Sequence, residues 1–314
     1  MNTTTDAAYP YDPELARIVP TLPVLDPTHL SATRKLMADM FAGMPAPDTT
    51  GIDVTERSVP GPEGAPDVTL RIYRPEQRTT DGVIYNVHGG GLILGDLDTD
   101  HARNVSLCRE LGTVLVSVDY RLAPEHPYPA GLEDAYAGLV WTAANAAELG
   151  VDPQRLVLHG ASAGGNLCAA LALLARDRGG PAVVFQFLGV PQVDDRLDTP
   201  SMALTDVPFW TPEAFATAWR YYIGHLEGDV PGYAVPLRAE DLSGLPAAYI
   251  SVMHLDPLRD GGLAYAQALL QAGVTVELHL FPGTFHGSVF ADQTAVSQRE
   301  LDEELAVLRA ALSS

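Results

Sequence analysis

Positive charge is scarce in this chain. Its 314 residues include 19 Lys plus Arg against 40 Asp plus Glu, a formal charge of −21. A surface that negative repels nucleic acid and anionic lipid, which excludes roles that track phosphates. Lysine is almost missing: Lys35 stands alone, so Schiff-base or phosphate-loop chemistry would have to run through that one residue. Cysteine is limited to Cys108 and Cys168, each inside an apolar helical pattern. That pattern predicts two reduced core thiols, not a disulfide framework. The longest apolar run, Leu167 to Ala175, covers about half a bilayer span. The amino end, MNTTTDAAYPYDPEL, has no basic stretch followed by an apolar one, so no secretory signal is expected. These absences predict a soluble, cytoplasmic protein with no membrane and no nucleic-acid partner.

Motifs for metals and redox cofactors are also missing. There is no H-x-x-x-H, H-E-x-x-H or C-x-x-C spacing, so no metal site is expected. No G-x-G-x-x-G opens a helix after a strand, so nothing supports nicotinamide or flavin binding, and the expected cofactor set is none.

What is present is an alternation of strands and helices. Residues 1–50 carry Pro10, Pro13, Pro20, Pro23 and Pro27, an amphipathic run from His29 to Phe41, then Pro45 and Pro47. This reads as a prolyl lead-in with short helices. From Ile52 onward DVTLRIYRP, GVIYNVH and TVLVSVDY read as strands, followed later by RLVLHG, PAVVFQFLGV, LPAAYISVM and VTVELHLF. Helical patterns fall at His101–Leu111, Gly131–Leu149, Asn166–Ala175, Pro257–Ala272 and Ala291–Leu312. The order predicts an α/β fold with a mostly parallel sheet covered on both faces. The alternation pauses after Pro191 for a stretch rich in aromatics, including Phe209, Trp210, Phe215, Trp219, Tyr221, Tyr222 and Tyr233. Either those aromatics complete the core, or the stretch is a lid over a pocket at the strand ends, where ligands bind in open α/β sheets.

Chemistry gathers at four places. Gly160-Ala161-Ser162-Ala163-Gly164 is G-x-S-x-G, and it lies between a strand and a helix, as a nucleophile elbow requires. The flanking glycines let backbone pass closely, and the hydroxyl would project at a helix N-terminus. His88-Gly89-Gly90-Gly91 follows another strand. With no phosphate-loop lysine beside it, this loop reads as a source of oxyanion donors, joined by the amide of Ala163. His88 reads as a residue that fixes the loop. Ser162 needs a base, and His286 in PGTFHGS follows the last strand. Asp256 follows the preceding strand and gives the order Ser162, Asp256, His286 of the α/β-hydrolases. Asp260 is the rival acid, although a helix-start or Arg259 contact suits it better.

HGGG (88–91), VDYRLAPEHPYPA (118–130), GASAGGN (160–166), LDPLRD (255–260) and His286 together resemble the bacterial hormone-sensitive-lipase-like carboxylesterases of the α/β-hydrolase superfamily. The resemblance runs from about residue 50 to the end. It implies Ser162 as nucleophile, Asp256 as acid and His286 as base, with Gly89, Gly90, Gly91 and Ala163 as the oxyanion-hole set. Gly90 and Gly91 are favoured among the glycines. It implies no cofactor, a small-molecule ester of short to medium acyl length as substrate, and in many members a homodimer through the last strand and its neighbouring helix. It also implies a cap made of residues 1–50 and an insert at 192–235, over a catalytic core of 51–191 and 236–314. Leu92, Phe209, Trp210, Phe215 and Trp219 are the pocket candidates. Four residues depart from the common pattern: Ala161, Leu92, His254 and Ser288. None is a triad member, and three of them should line or adjoin the pocket. Two other functions fit the same scaffold: an amidase or formamidase on the same triad, and a non-catalytic ligand receptor, which should lack the catalytic histidine.

Overall fold

The computed structural model describes residues 9–43 and 45–313. Residues 1–8 and Met44 of the expected N-terminal cap segment lie outside the described residues. Eight strands form one sheet in the order β1-β2-β4-β3-β5-β6-β7-β8. They are β1 (Ile52–Val59), β2 (Val68–Pro75), β3 (Val83–Val87), β4 (Val114–Asp119), β5 (Leu156–Ala161), β6 (Val183–Gly189), β7 (Ala247–Leu255) and β8 (Val276–Phe285). β1 and β2 form an antiparallel hairpin, β2 meets β4 antiparallel, and every later pairing is parallel.

The central strands are apolar because both faces are covered. All of β3, and β4 up to Val118, is buried. Tyr85, Val116 and Leu158 point to one face, and Ile84, Leu115 and Val157 to the other. On the first face lie α4 (Ala130–Ala144), with the short α5 (Ala146–Leu149) behind it, then α6 (Ala163–Arg178) and α8 (Arg259–Gln271). On the second lie α3 (His101–Leu111) and α9 (Ala295–Ser313). α6 is buried from Ala163 to Ala175, which explains its lack of a polar stripe. Cys108 and Cys168 are buried and unpaired, and burial pushes the Cys108 thiol up to about 12.

β1 carries no helix-like or strand-like signal strong enough to stand out, because only Ile52 and Val59 are buried along it. As an edge strand it is polar on both faces. The helix expected over 131–149 is divided at Asn145, whose side chain and amide both donate to Trp141 O. The last helix starts at Ala295, four residues later than expected, after a short turn at Ser288–Phe290.

The N-terminal segment and the aromatic insert pack on each other over the strand ends. The N-terminal part holds α1 (Leu15–Ile18) and α2 (Leu30–Ala42), and the insert holds α7 (Pro212–Ile223), capped by Thr211 Oγ1 accepting from Ala214 N. Val24 and Phe209 form a parallel bridge: Phe209 N donates to Pro23 O and Leu25 N to Phe209 O. From α2, the Arg34 guanidinium donates to Ile93 O, to Ala123 O and in a fork to Glu125. The Glu125 carboxyl is held down at about 2 by that fork.

Between α9 and the sheet lies a buried ionic cluster. Glu304 accepts from Arg103 and His159, and His159 Nδ1 meets Asn86 Oδ1 at 2.7 Å. Glu300 sits beside it with Oε2 buried and unpartnered. Burial, then the Glu304 charge, raise its carboxyl to about 8. Glu300 therefore folds protonated at neutral pH. Its share of stability is whole below the ordinary glutamate value of about 4.3 and declines as pH rises to about 8. Glu300→Gln keeps the neutral form at every pH. We expect its stability at pH 8 to exceed wild type by on the order of 2 kcal/mol and the two to converge near pH 5. Thermal or urea midpoints at pH 5, 6.5 and 8 check this; parallel profiles would sink it.

Candidate active site

The chain turns sharply at Ser162, between β5 and α6. Ser162 takes φ 56° and ψ −117°, a left-handed conformation rare for a residue with a side chain. Its amide donates to Gly189 O at 2.8 Å. Gly160 and Gly164 make the turn passable: a Cβ on Gly164 would sit 2.9 Å from Val87 C and 3.0 Å from His88 O. The strained turn points Oγ off the end of the sheet at the first turn of α6.

Three distant segments meet there. Ser162 Oγ lies 3.0 Å from His286 Nε2. His286 Nδ1 lies 2.8 Å from Asp256 Oδ2. Asp256 Oδ1 accepts from Leu258 N at 2.9 Å, leaving Oδ2 aimed at the imidazole. Ser162, His286 and Asp256 are 6, 5 and 1 % exposed, so the contacts are made out of bulk water, where charge pairs are strong. β3 lies between β4 and β5, so this is where successive crossovers leave in opposite directions, the position at which α/β sheets bind ligands.

The rival carboxylate, Asp260, does not reach His286. It accepts from Arg259 Nε and from Ser201 N. The other strand histidines are engaged elsewhere: His279 with Glu303, and His254 accepting from Gly283 N.

The glycine loop stands beside the serine. Gly90 and Gly91 have φ 117° and 62°, followed by Leu92 at 68°, and Gly90 O accepts from Ile93 N and Leu94 N. A Cβ on Gly89 would sit 3.7 Å from Ser162 Cβ. The amides of Gly89, Gly90, Gly91 and Ala163 have no acceptor within the chain among the described residues. Free amides beside a hydroxyl suit an arriving oxyanion. His88 stays within its loop. Nδ1 donates to Gly89 O at 2.8 Å, the ring stacks on Tyr120 at 4.3 Å, and Tyr120 Oη donates to His88 O.

Of the pocket candidates, Phe215 and Trp210 stand against the imidazole, edge to face at 5.2 and 6.4 Å, and stack on each other at 5.0 Å. Trp210 also covers Gly91, where a Cβ would come 2.8 Å from Cζ3. Phe209 packs on Phe285, one residue before His286. Leu92 is buried and accepts from Ala123 N. Trp219 makes its ring contact with Tyr222, not with His286. Of the four departures, Ala161 is exposed and Ser288 is buried, its carbonyl held by Ser297 Oγ. Two partners had no sequence signal: Arg34 and Ser201. Each acts on a backbone atom far along the chain.

No group of three or more His, Cys, Asp or Glu among the described residues could hold a metal ion, and no helix among them is long and apolar enough to cross a membrane.

A serine on a strained strand–helix turn, with an imidazole and a carboxylate from two further parallel strands, is the arrangement of the α/β-hydrolase class. The chain belongs to the alpha/beta hydrolase fold family, whose model matches residues 84–290. It is 43% identical over 268 residues to the carboxylesterase NlhH of Mycobacterium tuberculosis, covering 82% of this chain and 83% of that one. It is 36% identical to the esterase LipI of the same species, covering 99% and 98%. A solved bacterial heroin esterase superposes with a TM-score of 0.92 at 43% identity, covering 97% of this chain and 99% of that one.

Proposed function

We propose that Ser162, His286 and Asp256 hydrolyse small carboxylic esters through an acyl-enzyme. The protein is a carboxylic ester hydrolase, like its named relatives along most of its length. The observation that carries the residue roles is the unbroken hydrogen-bond line from Ser162 Oγ through His286 to Asp256.

Ser162 Oγ attacks the ester carbonyl carbon while His286 Nε2 takes its proton. The carbonyl electron pair moves to oxygen, which the amides of Ala163 and of Gly90 and Gly91, or Gly89, receive; one such donor is worth about 10²–10³ in rate. Asp256 holds Nδ1–H and stabilises the imidazolium. The pair returns, the C–O bond to the alcohol breaks, and His286 protonates the leaving oxygen. Water then repeats the sequence on the acyl-serine and restores Ser162.

The N-terminal segment of residues 1–50, described over 9–43 and 45–50, and the 192–235 insert act as the cap. Phe215 and Trp210 close an apolar wall over the base, which favours short to medium acyl chains: burial contributes about 25 cal/mol per Å² until the wall is reached. Buried, unpaired Cys108 and Cys168 suit a reducing cytoplasm.

A fluorophosphonate should label the protein once, at Ser162, as read by peptide mass mapping. Absence of labelling would favour a receptor and overturn the reading. p-Nitrophenyl esters from acetate to laurate should show rates falling steeply beyond medium lengths; preference for laurate would refute the small capped pocket. Faster turnover of a matched amide would replace esterase by amidase.

A further inference from the structure

The insert does more than cover the site. It contacts the loop that carries the acid. Ser201 lies in the short turn Pro200–Ala203 and is fully buried. Its Oγ donates to Pro257 O at 2.8 Å, the residue after Asp256. The same oxygen accepts from Asp260 N at 3.2 Å, and Ser201 N donates to Asp260 Oδ2 at 2.7 Å. Arg259 completes the knot, giving Nε to Asp260 Oδ1 and Nη1 to His254 O on β7. Burial opposes the Asp260 charge, but Arg259 and Ser201 together hold its carboxyl below the usual carboxylate range.

We propose, on the triad reading above, that Ser201 is a positioning residue for the catalytic acid, fixing the Pro257–Leu258 peptide just after Asp256 so that Oδ2 meets His286. On its upstream side the loop is held by the sheet, where Leu255 pairs with Phe285, the residue before His286. Asp256 is bound inside its own loop to Leu258 N, and its carbonyl takes Arg259 N. Those bonds set the local turn, and the downstream side of the turn is held to the rest of the fold through Ser201. Ser201 ties that turn to a segment 55 or more residues earlier in the chain. The base is moored the same way from the other cap segment. Gly283 on β8 accepts from Asp12 N, and Tyr11 packs edge-on against Phe285 at 6.0 Å. Each cap segment thus holds one arm of the triad, and the Ser201 clamp lets the insert set the acid's position. The bonds made by Ser201 and Asp260 form one unit, so their removal should not be additive.

The test compares Ser201→Ala, Asp260→Asn and the double variant, with p-nitrophenyl butyrate as substrate. A misplaced acid costs turnover and not substrate affinity. Ser201→Ala should lower kcat about 10- to 100-fold with KM within about twofold. The far-downfield proton resonance expected of His286 Nδ1–H in wild type should shift or broaden in the variant. The double variant should be no slower than the worse single one. Unchanged kcat in folded Ser201→Ala overturns the proposal, as does a rise in KM at unchanged kcat, or a loss of kcat with the resonance unmoved. Wild-type labelling at Ser162 separates the two claims. If it fails, the enzymatic reading fails. If it succeeds and Ser201→Ala turns over normally, only the clamp is refuted.

Discussion

Ser162→Ala should fold as wild type and lose about 10⁶-fold in kcat on p-nitrophenyl butyrate, the scale seen when a triad nucleophile is removed. The loss is chemical, because only Oγ disappears. The φ of 56° strains alanine as it strains serine, and the amide that donates to Gly189 O remains. Asp256→Asn should cost about 10⁴-fold, since an amide cannot both accept Nδ1–H and stabilise an imidazolium. Its effect should be larger than the small side-chain change suggests because Asp256 is 1 % exposed and no water replaces the charge. The two losses should not multiply: with the hydroxyl gone, nothing remains for the base to activate, so the double variant should match Ser162→Ala. Burst kinetics and circular dichroism on the purified variants read out both points. Turnover of Ser162→Ala within tenfold of wild type would end the assignment of the nucleophile.

The parts of this site that were legible in the sequence are those whose chemistry is local. The Ser162 turn needs small neighbours within two residues on either side, so it leaves a short motif. The glycine loop needs positive φ at Gly90 and Gly91 directly after β3, and that also is written in consecutive residues. Asp256 and His286 were readable because parallel strands deliver the loops at their C-terminal ends to one edge of the sheet. Burial on both faces made the central strands apolar runs.

The features that escaped have the opposite character. β1 is paired on one side only and wet on both faces, so its residues alternate without an apolar signal. β8 continues through Pro282 and Gly283 to Phe285, beyond the expected stop at Phe281. Proline is tolerated because β8 is the outer strand, and its pairing with β7 shifts register between Met253 and Leu255. The division at Asn145 rests on a side chain competing for helix carbonyls, a weak local preference. Trp219 and Phe215 are four apart on α7 and equally aromatic, yet only Phe215 meets the imidazole. Composition cannot tell which turn of a helix faces His286. The clamp at Ser201 and the Arg34 bonds to Ile93 and Ala123 bind backbone carbonyls, and a carbonyl leaves no trace in residue identity.

Gly164→Ala should destabilise the fold by about 3 kcal/mol or more, an overpacking cost with backbone on the receiving side. The position has an ordinary helical φ, so the cause is space and not conformation. A Cβ there overlaps the Val87 carbonyl oxygen and sits 2.9 Å from Val87 C and 3.0 Å from His88 O. These are main-chain atoms at the end of β3, which is hydrogen-bonded to β4 and β5 and cannot retreat cheaply. Any movement that occurs is transmitted into His88 and Gly89, so surviving protein should also lose rate through displaced oxyanion donors, by about 10²-fold. Gly165→Ala is the control one residue on. Its Cβ would meet Pro191 Cβ at 3.0 Å and Cα at 3.1 Å, a tight contact that includes a side-chain atom and lies away from β3. We expect it to cost less stability and to leave kcat within a few-fold of wild type. Chemical denaturation of both variants, alongside kcat on p-nitrophenyl butyrate, separates the cases. If Gly164→Ala proves as stable and as active as Gly165→Ala, then close passage of β3 over the elbow is not what requires glycine at this position.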